Sequence, residues 1–346
     1  MLFAAKATAA GPYSIDYLIN PYHPDVVDSW LFGINNQGLA TGYTVIHPSG
    51  GPFTRAAVTY KAGNSEVVAT GTSGDPFGLV GFALNNNGDI IGNVDDVPTF
   101  ISAGGVSTAI EVPDRFVSLF VAGLLNGGVN DTGNALVAAY PIDPITTPTG
   151  TLSGLAIWNT AGSTLLSSLD PLYPFVNPPD INDFNSGPSS GVYTASVTGL
   201  NNAGQFAAGL HKTDFDPVDP ENFEDDIFTD AFAQAYLYDG QGGHVLLAAA
   251  APGEEIRPID VDETGTVFGW TGAHLALWGA SGAIQSVLPD PATTLDDVGY
   301  NGFPTVQRNK LGQVVGVTVD GAVLLYDPLA NSWTDVTPTI GDARRF

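Results

Sequence analysis

A phrase of about ten residues recurs six times along this chain of 346 residues, and its core is Asn or Asp, two variable residues and Gly between two apolar stretches. The two clearest copies, 34–42 and 84–92, also share a second glycine four residues after the first. The core begins at residues 35, 85, 130, 201, 262 and 309. Self-similarity at a period of about 50 residues indicates one supersecondary unit copied along the chain. The chain is therefore expected to fold as an array of similar units.

Each copy of the phrase predicts a β-hairpin. Asn and Gly tolerate a positive φ angle, so together they favour a tight turn. The flanking residues are rich in Val, Ile, Leu and Phe, as expected of two short strands joined by that turn. A second glycine lies inside the later strand at Gly42, Gly92, Gly269 and Gly316. Glycine within a strand marks a close approach of the backbone or a β-bulge.

A second phrase comes after each hairpin and predicts two more strands. An apolar segment ends near an aromatic residue, as at Ala57–Tyr60, Ala156–Trp158 and Leu275–Trp278, and runs into a Gly-, Asn- or Ser-rich turn. Another short segment lies beyond that turn, for example Val67–Ala69. Each unit is thus predicted to contain four antiparallel strands, called A to D in chain order.

These units predict an all-β fold, a six-bladed β-propeller of four-stranded antiparallel blades, forming a single domain over residues 1–346. The predicted blades cover residues 28–70, 78–112, 119–169, 193–250, 256–289 and 298–338. An N-terminal strand at 13–18 is predicted to pair with the last blade and close the ring, which removes an exposed sheet edge. The alternatives are two sandwiches or a β-solenoid, although solenoid repeats are shorter and stricter in period.

The spacing of the repeats varies because of four long segments, 43–56, 140–153, 170–192 and 211–232. Each is predicted to be a B–C or D–A loop, and these loops share one face of a propeller. The short A–B and C–D turns would leave the opposite face flat. Because function tends to lie in loops held by a rigid scaffold, the long loops predict a binding surface. They are alternatively insertions that the fold tolerates, since loop-closure entropy grows slowly with length.

Charge and cysteine content exclude several classes of function. The chain has 36 acidic and 10 basic residues, a net charge of −26, which disfavours binding to nucleic acid or to an anionic membrane. It has no cysteine, which excludes disulfides, thiolate metal sites and cysteine nucleophiles. No apolar run reaches the length of a transmembrane segment. Cations, neutral glycans or other copies of the chain are the expected partners.

The surface composition favours a secreted or cell-surface protein. Charged residues make up only 13% of the chain, so Ser, Thr, Asn, Gly and Pro must cover much of the surface. Such a surface suits an extracellular bacterial protein. The stretch Phe3–Ala10 is interpreted as the segment next to a removed export signal.

The two phrases together resemble the HAF-type repeats of bacterial extracellular proteins, which read Ile-Asn-x-x-Gly-x-Val-Val-Gly and then His-Ala-Phe-Leu-Trp. The first phrase matches best at 34–42, 84–92 and 308–316, and the second at Gln234–Tyr238 and His274–Trp278. The resemblance spans nearly the whole chain. It implies β-propeller-like repeats and a link to export and the cell surface, and it implies no particular chemistry.

The segment Lys212–Asp226 predicts a calcium site. It holds seven carboxylates between Asp214 and Asp226. Ca²⁺ takes six to eight oxygen ligands, which alternating acidic residues on a loop can supply. The predicted ligands are Asp214, Asp216, Asp219 and Glu221. The EF-hand glycine and closing Glu are missing, so the alternative is a solvated acidic loop.

Aromatic residues on the long segments predict a ligand or assembly surface. Their rings combine an apolar body with a polar tip, which suits stacking on sugars or contacts between protein copies. They are alternatively anchors that hold the loops to the scaffold. The predicted surface residues are Tyr22, Tyr140, Tyr173, Phe175, Phe215 and Phe223.

The sequence thus predicts a binding or structural module, with self-association into a homo-oligomer or filament, or glycan binding, as its role, and with Ca²⁺ as a stabilising ion. The main alternative is a polysaccharide-active lyase or hydrolase with its site on the long-loop face. Paired carboxylates or a His/Tyr pair at the channel mouth would favour that enzyme. Because neither a Gly-x-Ser-x-Gly elbow nor a dinucleotide or Walker motif occurs, a non-enzymatic role is favoured.

Overall fold

A computed structural model describes the chain over residues 7–8, 14–15, 26–46, 54–61, 64–70, 79–94, 97–110, 116–120, 128–141, 152–167, 189–216, 227–296 and 306–337. The regular elements of these residues are β-strands, numbered β1 to β26 in chain order. Within the described residues, no helix is long and apolar enough to cross a membrane.

The strands form six four-stranded antiparallel sheets and one two-stranded sheet. The two-stranded sheet contains β1 (Ala7–Thr8) and β2 (Ser14–Ile15). The first large sheet contains β3 (Val26–Ile34), β4 (Ala40–Ile46), β5 (Thr54–Lys61) and β6 (Asn64–Thr70). The second contains β7 (Leu79–Leu84), β8 (Ile90–Val94), β9 (Val97–Ile101) and β10 (Ser107–Ala109). The third contains β11 (Phe116–Phe120), β12 (Ala135–Pro141), β13 (Leu152–Asn159) and β14 (Gly162–Ser167).

The remaining three sheets have the same strand order. The fourth contains β15 (Ser189–Val197), β16 (Phe206–Asp216), β17 (Ile227–Tyr238) and β18 (His244–Leu246). The fifth contains β19 (Ile256–Val261), β20 (Val267–Thr271), β21 (His274–Trp278) and β22 (Ile284–Val287). The sixth contains β23 (Val306–Arg308), β24 (Val314–Val317), β25 (Val323–Asp327) and β26 (Ser332–Asp335). In every large sheet each strand pairs with its neighbour in sequence.

The chain divides into two compact units. Unit 1 comprises Met1–Asp96, Ile101–Ser107 and Pro289–Phe346, and includes the first and sixth sheets. Unit 2 comprises Val97–Phe100 and Thr108–Leu288, and includes the third, fourth and fifth sheets.

The Asn-x-x-Gly phrase forms the turn between the first and second strands of each large sheet, as predicted. Its glycine has a positive φ angle of 73° to 89° in all six turns. In the fourth sheet, the Asn201 side-chain oxygen accepts hydrogen bonds from the backbone N–H groups of Ala203 (3.0 Å) and Gln205 (2.8 Å). The side chain therefore caps its own turn, which explains why Asn or Asp begins the phrase.

The glycine inside the second strand lies opposite a β-bulge in three sheets. The paired residues are Gly42 and Leu31, Gly92 and Gly81, and Gly269 and Pro258. In each case the register of the first strand shifts immediately after that pair. A Cβ atom on Gly269 would collide with the carbonyl oxygen of Arg257. Both interpretations of these glycines, a bulge and a close backbone approach, are confirmed at Gly269.

The fourth sheet is buried on both faces. Phe206, Ala208 and Tyr236 pack with Leu136 of the third sheet. The alternate residues Ala207, Ala235 and Leu237 pack in a second cluster with Trp278 and other residues of the fifth sheet. Since side chains of a strand alternate between its faces, consecutive sheets are packed face to face. Small antiparallel sheets packed in this way are the blades of the β-propeller class of fold, which the repeats predicted.

The predicted N-terminal strand at 13–18 is described only at Ser14 and Ile15, and its pairing with the last blade stays a prediction. Within the predicted segment 13–18, Ser14 and Ile15 pair with Thr8 and Ala7. The sixth sheet takes its fourth strand from its own Ser332–Asp335. A pairing between near neighbours in sequence closes a short loop and so costs less chain entropy than a pairing across the whole chain.

Candidate functional site

The predicted calcium ligands begin on a strand rather than on a loop. Asp214 and Asp216 belong to β16 and pair with Thr229 and Ile227 of β17. The prediction that 211–232 is one long loop is therefore wrong for its two ends. Pairing on both sides, with β15 and with β17, holds this charged stretch extended. The predicted ligands Asp219 and Glu221 lie outside the described residues.

Two of the predicted surface aromatics also lie on strands. Tyr140 belongs to β12 and pairs with Val117 of β11. Phe215 belongs to β16 and pairs with Ser189 and Phe228 of the adjacent strands. Their placement on loops was wrong because the strands of the third and fourth sheets extend further than the apolar pattern indicated. The other predicted surface residues, Tyr22, Tyr173, Phe175 and Phe223, lie outside the described residues.

The turns of unit 2 are joined to one another by their asparagine side chains. The Asn130 amide nitrogen donates to the backbone oxygen of Asn201 at 2.9 Å. The Asn201 amide nitrogen donates in turn to the backbone oxygen of Asp262 at 3.0 Å. Asn130 and Asn201 are only 4% and 2% exposed. One side chain thus caps its own turn and also contacts the turn of the next sheet.

A second set of polar contacts joins the residues directly after these asparagines. The amide of Asn202 donates to the carboxylates of Asp131 and Glu263, at 3.0 Å each. Its side-chain oxygen accepts from the backbone N–H of Asp131 at 2.8 Å. The backbone N–H of Asn202 donates to Glu263 at 2.9 Å. Three of these four bonds end on carboxylate oxygens, and together the four join the residues of the Asp131–Asn202–Glu263 row.

A threonine or an alanine directly follows each residue of this row in the sequence. Thr132, Ala203 and Thr264 occupy the third position of the three turns and are exposed. The hydroxyl of Thr132 donates to Asn130 at 2.7 Å, and that of Thr264 donates to Asp262 at 2.6 Å. Since each hydroxyl is bound to its own turn, the methyl group is the part of the side chain left for other contacts.

The first two turns of unit 1 are joined in a similar way. The Asn35 amide donates to the backbone oxygen of Asn85 at 3.0 Å, and the Gln37 amide donates to that of Asn86 at 3.0 Å. The backbone N–H of Asn36 donates to the Asn86 side-chain oxygen at 3.2 Å. These contacts involve uncharged side chains, in contrast to the carboxylates of unit 2.

The turn end of the sixth sheet has a cation and two exposed leucines. Lys310 and Leu311 occupy the second and third positions of its A–B turn, and Leu329 lies in its C–D turn. Leu311 is 77% exposed and Leu329 is 97% exposed. A Cβ atom on Gly312 would lie 3.5 Å from Pro328, so the two turns are in contact. We call Lys310, Leu311, Pro328 and Leu329 the sixth-sheet tip.

Two groups in the sixth sheet have shifted pKa values. Burial, and then the nearby Asp327 carboxylate, raise the pKa of Tyr326, whose hydroxyl donates to Asn331 at 2.9 Å. Hydrogen bonds from the side chain and backbone of Thr337 lower the pKa of Asp335. The same Thr337 hydroxyl accepts from the backbone N–H of Val323 at 2.8 Å. These contacts secure the last strand of the sheet.

The surface of the described residues offers hydrogen-bonding side chains at the row and exposed apolar side chains at the sixth-sheet tip. In the part of the chain that the structure describes, no three His, Asp or Glu side chains are grouped so as to hold a metal ion. The Asp131–Asn202–Glu263 row and the sixth-sheet tip were both missed by the sequence analysis. The one signal for the tip was Leu311, because the third position of the other turns is Gln37, Asn87, Thr132, Ala203 or Thr264.

No protein-family model matches the chain, and no curated protein matches its sequence. Among solved structures, it is similar to Porphyromonas gingivalis dipeptidyl peptidase 4, with 8% identity, a TM-score of 0.48, and coverage of 95% of this chain and 50% of the peptidase. It is also similar to virginiamycin B lyase from Staphylococcus aureus, with 10% identity, a TM-score of 0.49, and coverage of 91% and 86%. The β-propeller domain of the Trilobed protease from Pyrococcus furiosus matches with 9% identity, a TM-score of 0.46, and coverage of 96% and 87%. The chain thus spans half the length of the peptidase, and at such identities a likeness says nothing about activity.

Proposed function

We propose that this chain is a secreted or cell-surface binding and structural module, stabilised by Ca²⁺ and acting through glycans or other copies of itself. Its six four-stranded sheets are the six blades of one propeller. The observation that carries the proposal is the pairing of Asp216 with Ile227 at the end of the fourth sheet's longest hairpin.

This pairing fixes both ends of an acidic connection. Paired residues of adjacent strands have Cα atoms about 5 Å apart, so the ten-residue connection 217–226 starts and ends at nearly the same point. Five carboxylates belong to that connection, and Asp214 and Asp216 precede it on β16. Like charges confined to a short closed loop repel one another. A divalent cation with many oxygen ligands relieves that repulsion, which supports Asp214, Asp216, Asp219 and Glu221 as its ligands.

The composition supports a secreted location and uncharged or cationic partners. With 36 acidic and 10 basic residues, the surface repels nucleic acid and anionic lipid. Neutral glycans and Ca²⁺ are free of that repulsion. The hydrogen bonds between successive turns supply the rigid scaffold that a loop-borne binding surface requires.

Thermal unfolding with and without Ca²⁺ tests the proposal. We expect the melting temperature of the full chain to rise with CaCl₂, to return to its starting value with EDTA, and to rise less with MgCl₂. At a Ca²⁺ concentration of about 100 times Kd, binding to the folded state contributes about 2.7 kcal/mol.

A variant pair makes the test specific to the hairpin. Asp214→Asn with Asp216→Asn should remove the response to Ca²⁺. The matched control, Asp290→Asn with Asp296→Asn, removes two negative charges elsewhere and should keep the response. An unfolding curve of the unmodified chain that does not change with Ca²⁺ would exclude the ion from the proposed function.

A further inference from the structure

The sixth turn differs from the other five at two exposed positions. The second position is Asn36, Asn86, Asp131, Asn202 or Glu263 in the first five turns, and Lys310 in the sixth. At the third position the sixth turn alone has a large aliphatic residue, Leu311. The sixth-sheet tip is therefore the only turn end of the six that combines a positive charge with apolar surface at these positions.

The apolar part of this tip is larger than one side chain. Leu329 is the most exposed of the large apolar residues in the described part of the chain, at 97%, and Leu311 is next at 77%. Contact between Gly312 and Pro328 places the two leucine-bearing turns side by side. Adjacent exposed apolar side chains mark an interaction site more strongly than scattered ones.

The charged part of the tip selects an acidic partner. Lys310 is exposed, and no ion pair involves it among the described residues. It is one of only ten basic residues in a chain with a net charge of −26, so another copy of the chain is an acidic partner. Opposite charges on two surfaces steer them together and fix their register.

The row in unit 2 supplies a surface complementary to the tip. Its two carboxylates accept three hydrogen bonds from Asn202, one at Asp131 and two at Glu263, so less side-chain entropy remains to be lost when a lysine binds. Thr132, Ala203 and Thr264 directly follow the row residues in the sequence, are exposed, and carry methyl groups that offer apolar contact. Charge and apolar surface are thus adjacent on the row, as they are on the tip.

We propose that the sixth-sheet tip of one molecule docks on the Asp131–Asn202–Glu263 row of a second copy of this chain. Lys310 then contacts the two carboxylates, and Leu311 and Leu329 pack on the Thr132, Ala203 and Thr264 methyl groups. Tip and row are different surfaces, so the contact is heterologous, and repeated contacts build an open or closed chain of molecules. This inference rests on the self-association part of the proposed function and identifies the surfaces that carry it.

Sedimentation of the full chain over a range of concentrations measures the association. The variant Leu311→Ser with Leu329→Ser should weaken it by about tenfold for each leucine, because each loses buried apolar area. Val319→Ser is the matched control, since Val319 is 69% exposed in the same sheet but lies outside the tip. Melting temperatures establish that each variant is folded.

Charge reversal provides a test that loss of folding cannot mimic. Lys310→Glu reverses the charge of the tip and leaves the row unchanged. Glu263→Lys reverses one charge of the row and leaves the tip unchanged. Each variant alone should be monomeric, and an equimolar mixture should associate again, because the unchanged tip of one variant meets the unchanged row of the other. A mixture that stays monomeric, while the unmodified chain associates, overturns the docking.

The remaining outcomes separate this inference from the proposed function. If the unmodified chain associates and the leucine variant associates equally well, the tip is not the interface and self-association still stands. If the unmodified chain is monomeric at every concentration, the docking and the self-association are both overturned. The calcium response of the fourth sheet is decided by its own experiment in either case.

Discussion

The fifth and sixth sheets have the same phrase in their A–B turns, yet the two turns differ in exposure and in their hydrogen bonds to the rest of the molecule. In the fifth sheet, the Asp262 carbonyl accepts a hydrogen bond from the turn of the sheet before it, and Trp278 is fully buried with its indole N–H bound to Ala248. In the sixth sheet, Asn309 at the equivalent turn position is exposed and Leu311 beside it faces solvent. The turn of the fifth sheet is thus bonded to a neighbouring turn, whereas the turn of the sixth sheet is exposed, although the Trp333 indole N–H of that sheet is also bonded, to the Pro289 carbonyl.

This difference shows which part of the phrase is structural and which part is free to vary. The first and fourth positions are Asn or Asp and Gly in all six turns, because they form the turn itself. The residues at the second and third positions vary between the copies. Repeats with one backbone therefore present different chemistry at their tips.

The largest expected contrast is in the free energy of unfolding, between variants of Gly269 in the fifth sheet and of Gly316 in the sixth. Gly269→Ala should destabilise the chain by about 3 kcal/mol, since its Cβ would collide with the Arg257 backbone oxygen, which cannot move without distorting the sheet. Gly316→Ala should cost about 1 kcal/mol, because its nearest neighbour, at 2.8 Å, is the movable side chain of Leu295. Urea unfolding measures both values. Equal losses would show that the two strands are equally constrained.

The next contrast concerns the first position of the turns. Asn201→Ala removes a cap and also one of the two hydrogen bonds to the Asp262 carbonyl, which keeps the bond from the Gly265 N–H, so we expect a loss of about 2 kcal/mol. Asn309→Ala removes a cap at an exposed turn, where water can replace the lost bonds, and should cost about 1 kcal/mol. Chemical unfolding of both variants compares them directly. A costlier change at Asn309 would contradict the view that the fifth sheet is the more tightly linked.

The smallest expected effect is the titration of Asp335 in the sixth sheet. Hydrogen bonds from Thr337 lower its pKa in the folded chain, so its contribution to stability is present above the pKa of the unfolded chain and is lost as the pH falls through the lower, folded value. Thr337→Val should raise the pKa of Asp335 towards the usual range for Asp. NMR titration of the carboxyl carbon measures the shift, and an identical pKa in both proteins would show that the Thr337 hydroxyl does not stabilise the carboxylate, since the backbone N–H bond is kept in the variant.

The sequence was sufficient to predict the hairpins and the sheet type, because both depend on local patterns. Asn-x-x-Gly specifies a turn wherever it occurs, and alternating apolar residues specify strands on either side. The pairing of residues 13–18 with the last blade stays a prediction, since several sheet edges compete for such a strand and the pattern does not rank them. Long-range pairing depends on loop closure and on the edges left open, which composition does not report.

The candidate surfaces were harder to predict for a different reason. His211, Lys212 and Asp214 looked like a loop because strands are poor in such residues, but pairing with both neighbours overrides that preference. The Asp131–Asn202–Glu263 row joins residues that lie far apart in the chain, so only the arrangement of three turns brings them together. Leu311 stood out in the sequence as the one large aliphatic residue at the third turn position. Its place in an apolar surface depends on Leu329, which lies on another turn of the same sheet.

The link from an asparagine to the backbone of the next turn has a consequence for how such a chain can change in evolution. Five of the six turns begin with Asn and so carry the same amide donor, and a turn backbone always presents the same carbonyl acceptor. Duplication or deletion of a whole Asn-bearing copy would therefore leave equivalent hydrogen-bonding groups at each turn. No compensating substitution would be required. Chains of this type are free to gain or lose copies in single genetic events, while the tip of each copy diverges on its own.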